Sequence, residues 1–343
     1  MAHQVPASQR ATRVAVITGG SAGVGRAVAQ AFARRGWSLA LLARGPEGLA
    51  EAQRDCERCG APRVLAIPTD MADAAAVFAA ADRVAAELGP PEVWINDAMA
   101  TVFAPVHAIP PEEFRRVTEV TYLGFVHGTL AALRHMRPRD HGCILQVGSA
   151  LSYRAIPLQA PYCAAKFAIR GFTDSLRCEL RHDGSRVRLT MVQLPAVNTP
   201  QFEWARSHMP RRARPMGRIH QPEAVAEAIF RAAMRPRREV WVGWPTLQAI
   251  LGTMAAPGML DRILARNAVD GQMTPEPTPE GQPDNLLAPV PGPHRMHGRF
   301  DAEATNHVRS FDPALLRLAA GALALLPLTL ALFGRRGSPT LPR

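Results

Sequence analysis

Short apolar runs alternate with longer helical stretches from about residue 13 to residue 243, and this alternation restricts the fold more than any other feature. The runs at 14–17, 39–42, 63–67, 93–96, 143–147, 187–192 and 240–242 have strand length and character. Helical patterns occupy 26–35, 47–59, 72–88, 111–136, 162–181 and 222–234 between them. Strands that are apolar throughout are buried on both faces, and a helix between consecutive strands carries the chain back for a parallel pairing. The expected fold class is therefore α/β, a doubly wound parallel sheet in one domain over residues 13–268 with a C-terminal extension. Ligands of such sheets lie beyond the carboxyl ends of the strands.

The ends of the chain depart from this pattern. Residues 1–12 hold no apolar core segment and read as a disordered lead-in, not a signal peptide. Residues 269–312 read as a Pro-rich linker, and the stretch TPEPTPEGQP at 274–283 is expected to be extended and unpacked. Residues 313–343 form a hydrophobic C-terminal segment in which 318–334 carry no charge. A helix of that length spans about 25 Å, close to the roughly 30 Å of a bilayer core. Pro327 is tolerable in such a helix. Being apolar all round, it does not belong in water. Three arrangements are open: a tail anchor, an interfacial helix, or an arm docked on the enzyme or on a second subunit. Membrane attachment is the expected one, and arginines at both ends leave its orientation open.

Charge and cysteine usage narrow the partners. The net charge of +11 calls for an anionic partner. The densest basic cluster, Arg211, Arg212 and Arg214, is short and lacks interleaved aromatic residues, which favours a phosphate-bearing small molecule or a membrane surface over nucleic acid. Five cysteines with no framework spacing point to reduced thiols and a cytoplasmic location. Cys56 and Cys59 have CxxC spacing, but no second pair completes a four-ligand site, so no metal is expected. Lys166 is the only lysine among 40 basic residues. It marks either a chance survivor or a site where a guanidinium cannot replace a compact ammonium.

Two motifs carry the chemistry. Thr18, Gly19, Gly20, Ser21, Ala22, Gly23, Val24 and Gly25 close the first strand and open the first helix. Glycines there permit close backbone approach to a pyrophosphate at a helix N-terminus. Tyr162 and Lys166 stand four residues apart, on one face of a helix. A neighbouring ammonium favours phenolate and moves a tyrosine from about 10 toward the working pH, where acid–base transfer is most effective. Ser149 ends the fifth strand, thirteen positions before Tyr162.

This set resembles the short-chain dehydrogenase/reductase family, in its TGxxxGxG, Ser and YxxxK pattern, from about Arg13 to Gly243. The resemblance implies a Rossmann-like fold, a nicotinamide cofactor and Ser149, Tyr162 and Lys166 as catalytic residues. It implies cofactor contacts from Thr18, Gly19, Ser21, Gly23, Val24, Gly25, Asp70, Asn96, Ala98, Tyr162, Lys166, Pro195 and Thr199. Ala43 and Arg44 end the second strand without a carboxylate, so NADP(H) is favoured over NAD(H) and Arg44 joins the cofactor set. The expected substrate is a small carbonyl or alcohol, apolar by the character of Phe202, Trp204 and Met209 in a mobile lid at 201–220. A homo-oligomer is also usual among such proteins.

Four positions depart from the family pattern. Asp97 and Met99 replace an asparagine and a glycine, Ala196 replaces a glycine, and Thr121 stands where an asparagine supports a water relay to Lys166. The alternative these departures raise is a cofactor-binding scaffold or sensor that has lost turnover.

Overall fold

The computed structural model describes residues 13–315; the expectations for 1–12 and for 318–334 lie outside the described residues. Each expected strand forms. The chain runs β1 (Val14–Thr18), α1 (Gly23–Ala33), β2 (Ser38–Ala43), α2 (Pro46–Arg58), β3 (Val64–Pro68), α3 (Ala74–Glu87) and β4 (Val93–Asn96). After a two-residue strand β5 (Val102–Phe103) come α4 (Pro111–Val117), α5 (Gly124–Met136), β6 (Cys143–Ser149), α6 (Ala160–His182) and β7 (Arg188–Leu194). A short α7 (Gln201–Trp204), β8 (Arg206–Ser207) and β9 (Arg211–Ala213) precede α8 (Pro222–Met234) and β10 (Glu239–Val242). A helical pair, α9 (Trp244–Ala255) and α10 (Pro257–Gly271), leads to β11 (Met273–Pro277) and β12 (Ser310–Phe311).

The main sheet has the order β12-β10-β7-β6-β4-β1-β2-β3. Every pairing in it is parallel except β12 on β10. Strand order reverses between β1 and β4, which opens a crevice at their carboxyl ends. Apolar side chains pack on both faces. Phe32, Leu49 and Ile229 cover Ile17 and Leu41 on one side, and Val84, Leu133 and Leu180 cover Val16 and Ile144 on the other.

Two expectations change. The helical stretch 111–136 is interrupted by a six-residue π-helical turn, Thr118–Leu123, between α4 and α5. Residues 269–271 end α10, and the stretch 274–283, expected to be extended and unpacked, is packed onto the body. β11 pairs antiparallel with β9, and β12 adds an eighth strand to the sheet. Leu286 is fully buried against Ala100, Val102 and Val120. An extended chain satisfies its polar backbone against neighbouring loops and edges, and anchors spaced this widely leave no periodic signal. Among the described residues, no helix is long and apolar enough to cross a membrane.

Candidate active site

The turn after β1 is built by close backbone packing. Gly19 has φ +72°, and a Cβ there would stand 2.9 Å from Ala98 Cα. A Cβ on Gly25 would overlap the Gly19 carbonyl. Glycine is thus required for the turn to fold back on the first turn of α1, leaving a cradle a side chain would fill. Gly19, Ser21, Gly23 and Val24 line a cavity of about 500 Å³ that continues past Ala43, Arg44 and Asp70 in one direction and past Ser149, Tyr162, Pro195 and Thr199 in the other. A cradle of backbone N–H groups at a helix start, opening into an elongated cavity, fits a dinucleotide pyrophosphate.

Ser149 closes β6 and Tyr162 lies in the first turns of α6. Both line the same cavity, where Ser149 acts as a hydrogen-bonding neighbour that draws the Tyr162 phenol down. Leu151 N–H donates to Ser149 Oγ at 3.1 Å, so the serine lone pair is engaged and its proton is free to turn toward the cavity. Lys166 lies one helical turn beyond Tyr162, 2 % exposed, with Nζ donating to Val147 O at 2.7 Å and standing 4.6 Å from the Phe125 ring centroid. Burial pushes the phenol above the ordinary tyrosine value, and the Ser149 hydrogen bond opposes that shift. The expected lowering toward the working pH is not found: desolvation dominates, and Cys163 and Asp97 add to the rise. Burial also lowers the Lys166 ammonium, to about 8, while the nearby Asp97 carboxylate acts to raise it.

Several expected cofactor residues stand behind the cavity wall instead of on it. Thr18 Oγ1 accepts from Asp97 N (3.0 Å) and Ala98 N (3.1 Å), so it ties the β4 loop to the turn. Gly25 supplies room for that packing, and its N–H acts to hold the Asp97 carboxyl down. Asn96 is a correction. Its amide is fully buried, donating to Gln146 Oε1 (2.9 Å) and Thr129 Oγ1 (3.1 Å) and accepting from Trp94 Nε1 (2.9 Å). It faces α5, not the cavity. Ala98 and Met99 do line the cavity. Arg44 lines it too, but its guanidinium donates to the carbonyls of Leu286 (3.2 Å) and Asn285. Asp70 is gripped by Ala72 N–H (3.0 Å) and Arg116 (2.5 Å); these hold its carboxyl below the usual value although burial acts the other way.

Thr121 is also resolved. Its hydroxyl donates to Ala100 O (2.8 Å) and accepts from Ala100 N (3.0 Å), so it pins the π-helical turn to the loop after β4. The middle of the lid region is held at two places, with β8 pairing β5 and β9 pairing β11. Phe202 and Trp204 line the cavity, while Met209 packs with Phe103 and Leu158. Sequence reasoning missed Asp97, whose signal is a charge inside an amide-bearing motif, and the cavity residues Asn285, Pro289, Val290 and His294, which carry no motif.

A nucleotide-type crevice with a Ser–Tyr–Lys set at its end defines an oxidoreductase of the dinucleotide-fold class. The short chain dehydrogenase family model matches residues 13–209, and the chain belongs to that family. It is 30% identical over 269 residues to the uncharacterized oxidoreductase YxnA of Bacillus subtilis, covering 78% of this chain and 75% of that protein. It is 34% identical over 226 residues to cis-4-hydroxycyclohexanecarboxylate dehydrogenase of Sinomonas cyclohexanicum, covering 64% and 88%. An alcohol dehydrogenase from the archaeon Thermococcus sibiricus, solved in complex with 5-hydroxy-NADP, superposes with a TM-score of 0.57 at 26% identity, covering 67% of this chain and 95% of that one. The protein is accordingly an alcohol/carbonyl oxidoreductase with a nicotinamide cofactor site.

Proposed function

We propose that the protein transfers a hydride between NADP(H) and a carbonyl or alcohol carbon of an apolar small molecule, with Tyr162 moving the proton. The observation that carries this reading is that Ser149, Tyr162 and Lys166 line the same cavity as the glycine turn. The dinucleotide, when bound, supplies or accepts the hydride. Gly19, Ser21, Gly23 and Val24 would hold its pyrophosphate, Asp70 its adenine, and Pro195 and Thr199 its nicotinamide end. Arg44 and the absence of a carboxylate beside it favour the 2′-phosphate of NADP(H), and the archaeal neighbour was solved with an NADP derivative.

In the reducing direction, Ser149 donates a hydrogen bond to the substrate oxygen and stabilises the charge developing there. Tyr162 donates the proton. A phenol held above its ordinary value by burial stays protonated across the neutral range, which suits it to act as the acid. Lys166 orients the ribose and keeps a positive charge near the phenol. Met99, Phe103 and Leu264 make the substrate end apolar.

NADPH oxidation over a panel of ketones and aldehydes tests the assignment. Tyr162→Phe is expected to lose at least about 10²-fold in kcat, the scale of a general acid, with NADPH binding retained. Tighter binding of NADH than NADPH contradicts the cofactor preference. The alternative, a dinucleotide-binding scaffold without turnover, is favoured by one observation: Lys166 spends a hydrogen bond on Val147 O. Dinucleotide binding with no Tyr162-dependent turnover on any substrate would establish it.

A further inference from the structure

We propose that the chain completes its own cofactor site with residues 284–298, which form an outer wall over the adenosine half of the cavity with His294 as the latch. A dinucleotide would leave only after that wall lifts. The inference rests on the dinucleotide reading above.

The wall is fastened to groups that the family pattern assigns to the cofactor. Arg44 holds the carbonyls of Asn285 and Leu286, and Arg116 Nε donates to the same Leu286 carbonyl at 3.2 Å. The Leu286 side chain, fully buried, anchors this end in the body. At the other end His294 sits between the glycine turn and the start of α2. Its Nδ1 pairs with Ser21 Oγ at 3.1 Å, its Nε2 pairs with Val290 O at 3.0 Å, and its ring lies 4.8 Å from that of Trp204. Gly23 N–H, at the opening of α1, donates to Arg295 O at 3.2 Å, and Arg26 donates to His294 O. Beyond the latch, Gly298 N donates to Asn198 O (3.3 Å) and Phe300 N to Asn198 Oδ1 (3.1 Å). The segment is thus tied along its length to β2, α1, the π-helical region and the loop after β7.

It lines the cavity without filling it. Asn285, Pro289, Val290 and His294 face the same space of about 500 Å³ as Arg44, Asp70 and Gly19. A plug would have erased that space; a wall leaves it. The family model ends at residue 209, so this wall comes from a part of the chain the model does not describe. Its consequence is kinetic. The wall lies over the space the dinucleotide would occupy, so it must lift before the dinucleotide leaves, and the effect falls on release.

Gly48 allows a test from outside the cavity. It lies in the first turns of α2, and a Cβ there would overlap the His294 ring. Gly48→Ala therefore displaces the latch while improving helix propensity. Leu286→Ala loosens the other anchor. Stopped-flow fluorescence with NADPH would give association and dissociation rates, and hydrogen exchange would follow the amides of 284–298. We expect NADPH release to quicken about tenfold or more in each variant, with Kd rising in step, and NADPH to protect the segment in the unaltered protein. Unchanged release in both variants, or tighter NADPH binding in Gly48→Ala, overturns the wall. If the unaltered protein binds neither NADPH nor NADH, the dinucleotide reading falls and the wall with it. Normal binding with indifferent variants removes the wall alone.

Discussion

Lys166 and Asp97 line the same cavity, and the charge of each shifts the titration of the other. Burial raises the Asp97 carboxyl to about 6, with Lys166 and the Gly25 N–H opposing, and lowers Lys166 to about 8. Asp97→Asn removes the carboxylate that sustains the ammonium, so Lys166 should lose its proton at lower pH. The falling alkaline limb of kcat/KM for carbonyl reduction is then expected to move to lower pH, with little change in NADPH binding at pH 6. A limb that stays in place, or moves up, contradicts this coupling. At this scale the sequence was partly legible. Tyr162 and Lys166 declare themselves because helical spacing fixes their common face, and Ser149 because it ends a strand at the sheet's carboxyl edge. Asn96 misleads for an equally simple reason. Side chains alternate along a strand, so Asn96 shares a face with Trp94 and is consumed by α5, whereas Asp97, the next residue, turns to the cavity. The Asp97–Lys166 coupling joins the loop after β4 to α6, far apart in sequence, and no local pattern reports it.

The elements bring those residues together, and the π-helical turn is the least ordinary of them. Its apolar periodicity merges with that of α4 and α5, so the sequence reads one helix from 111 to 136 where the structure has three pieces. The extra backbone residue is held by one side chain, the fully buried Thr121, which satisfies both polar groups of Ala100. Thr121→Val keeps the shape and removes both bonds. Leaving a buried N–H and C=O without partners costs about 1–3 kcal/mol each. We expect a loss of about 2 kcal/mol or more in denaturant unfolding, and a fall in kcat/KM because the pinned loop carries Asp97, Ala98 and Met99. An unfolding midpoint within error of the unaltered protein would show that the pin is not needed. β12 teaches the same lesson from the other direction. Two residues are too few for a period, yet the register Trp241 opposite Phe311 extends the main sheet.

Over the whole molecule, the doubly wound sheet was legible because seven strands repeat one pattern, while the packing of 274–283 was not, because composition reports extension and not adhesion. Charge is the remaining whole-molecule property. A net +11 spread over scattered arginines is a field, not a groove, and many of those arginines are spent in ion pairs such as Arg26–Asp55 and Arg206–Asp284. A field of this sign accelerates the approach of an anionic dinucleotide and weakens with salt. Raising ionic strength from about 0.01 M to 0.1 M shortens the screening length from about 30 Å to about 10 Å. NADPH association should then slow several-fold while dissociation, set by the contacts inside the cavity, barely changes. A polynucleotide would behave differently, since each neutralised phosphate contributes a slope of about −0.9 in log affinity against log salt. Stopped-flow NADPH binding and DNA retention over the same salt series separate the two. Steep, saturable DNA binding would assign the positive field to nucleic acid. A shallow loss confined to the NADPH on-rate would assign it to the delivery of cofactor to the cavity beyond β1 and β4.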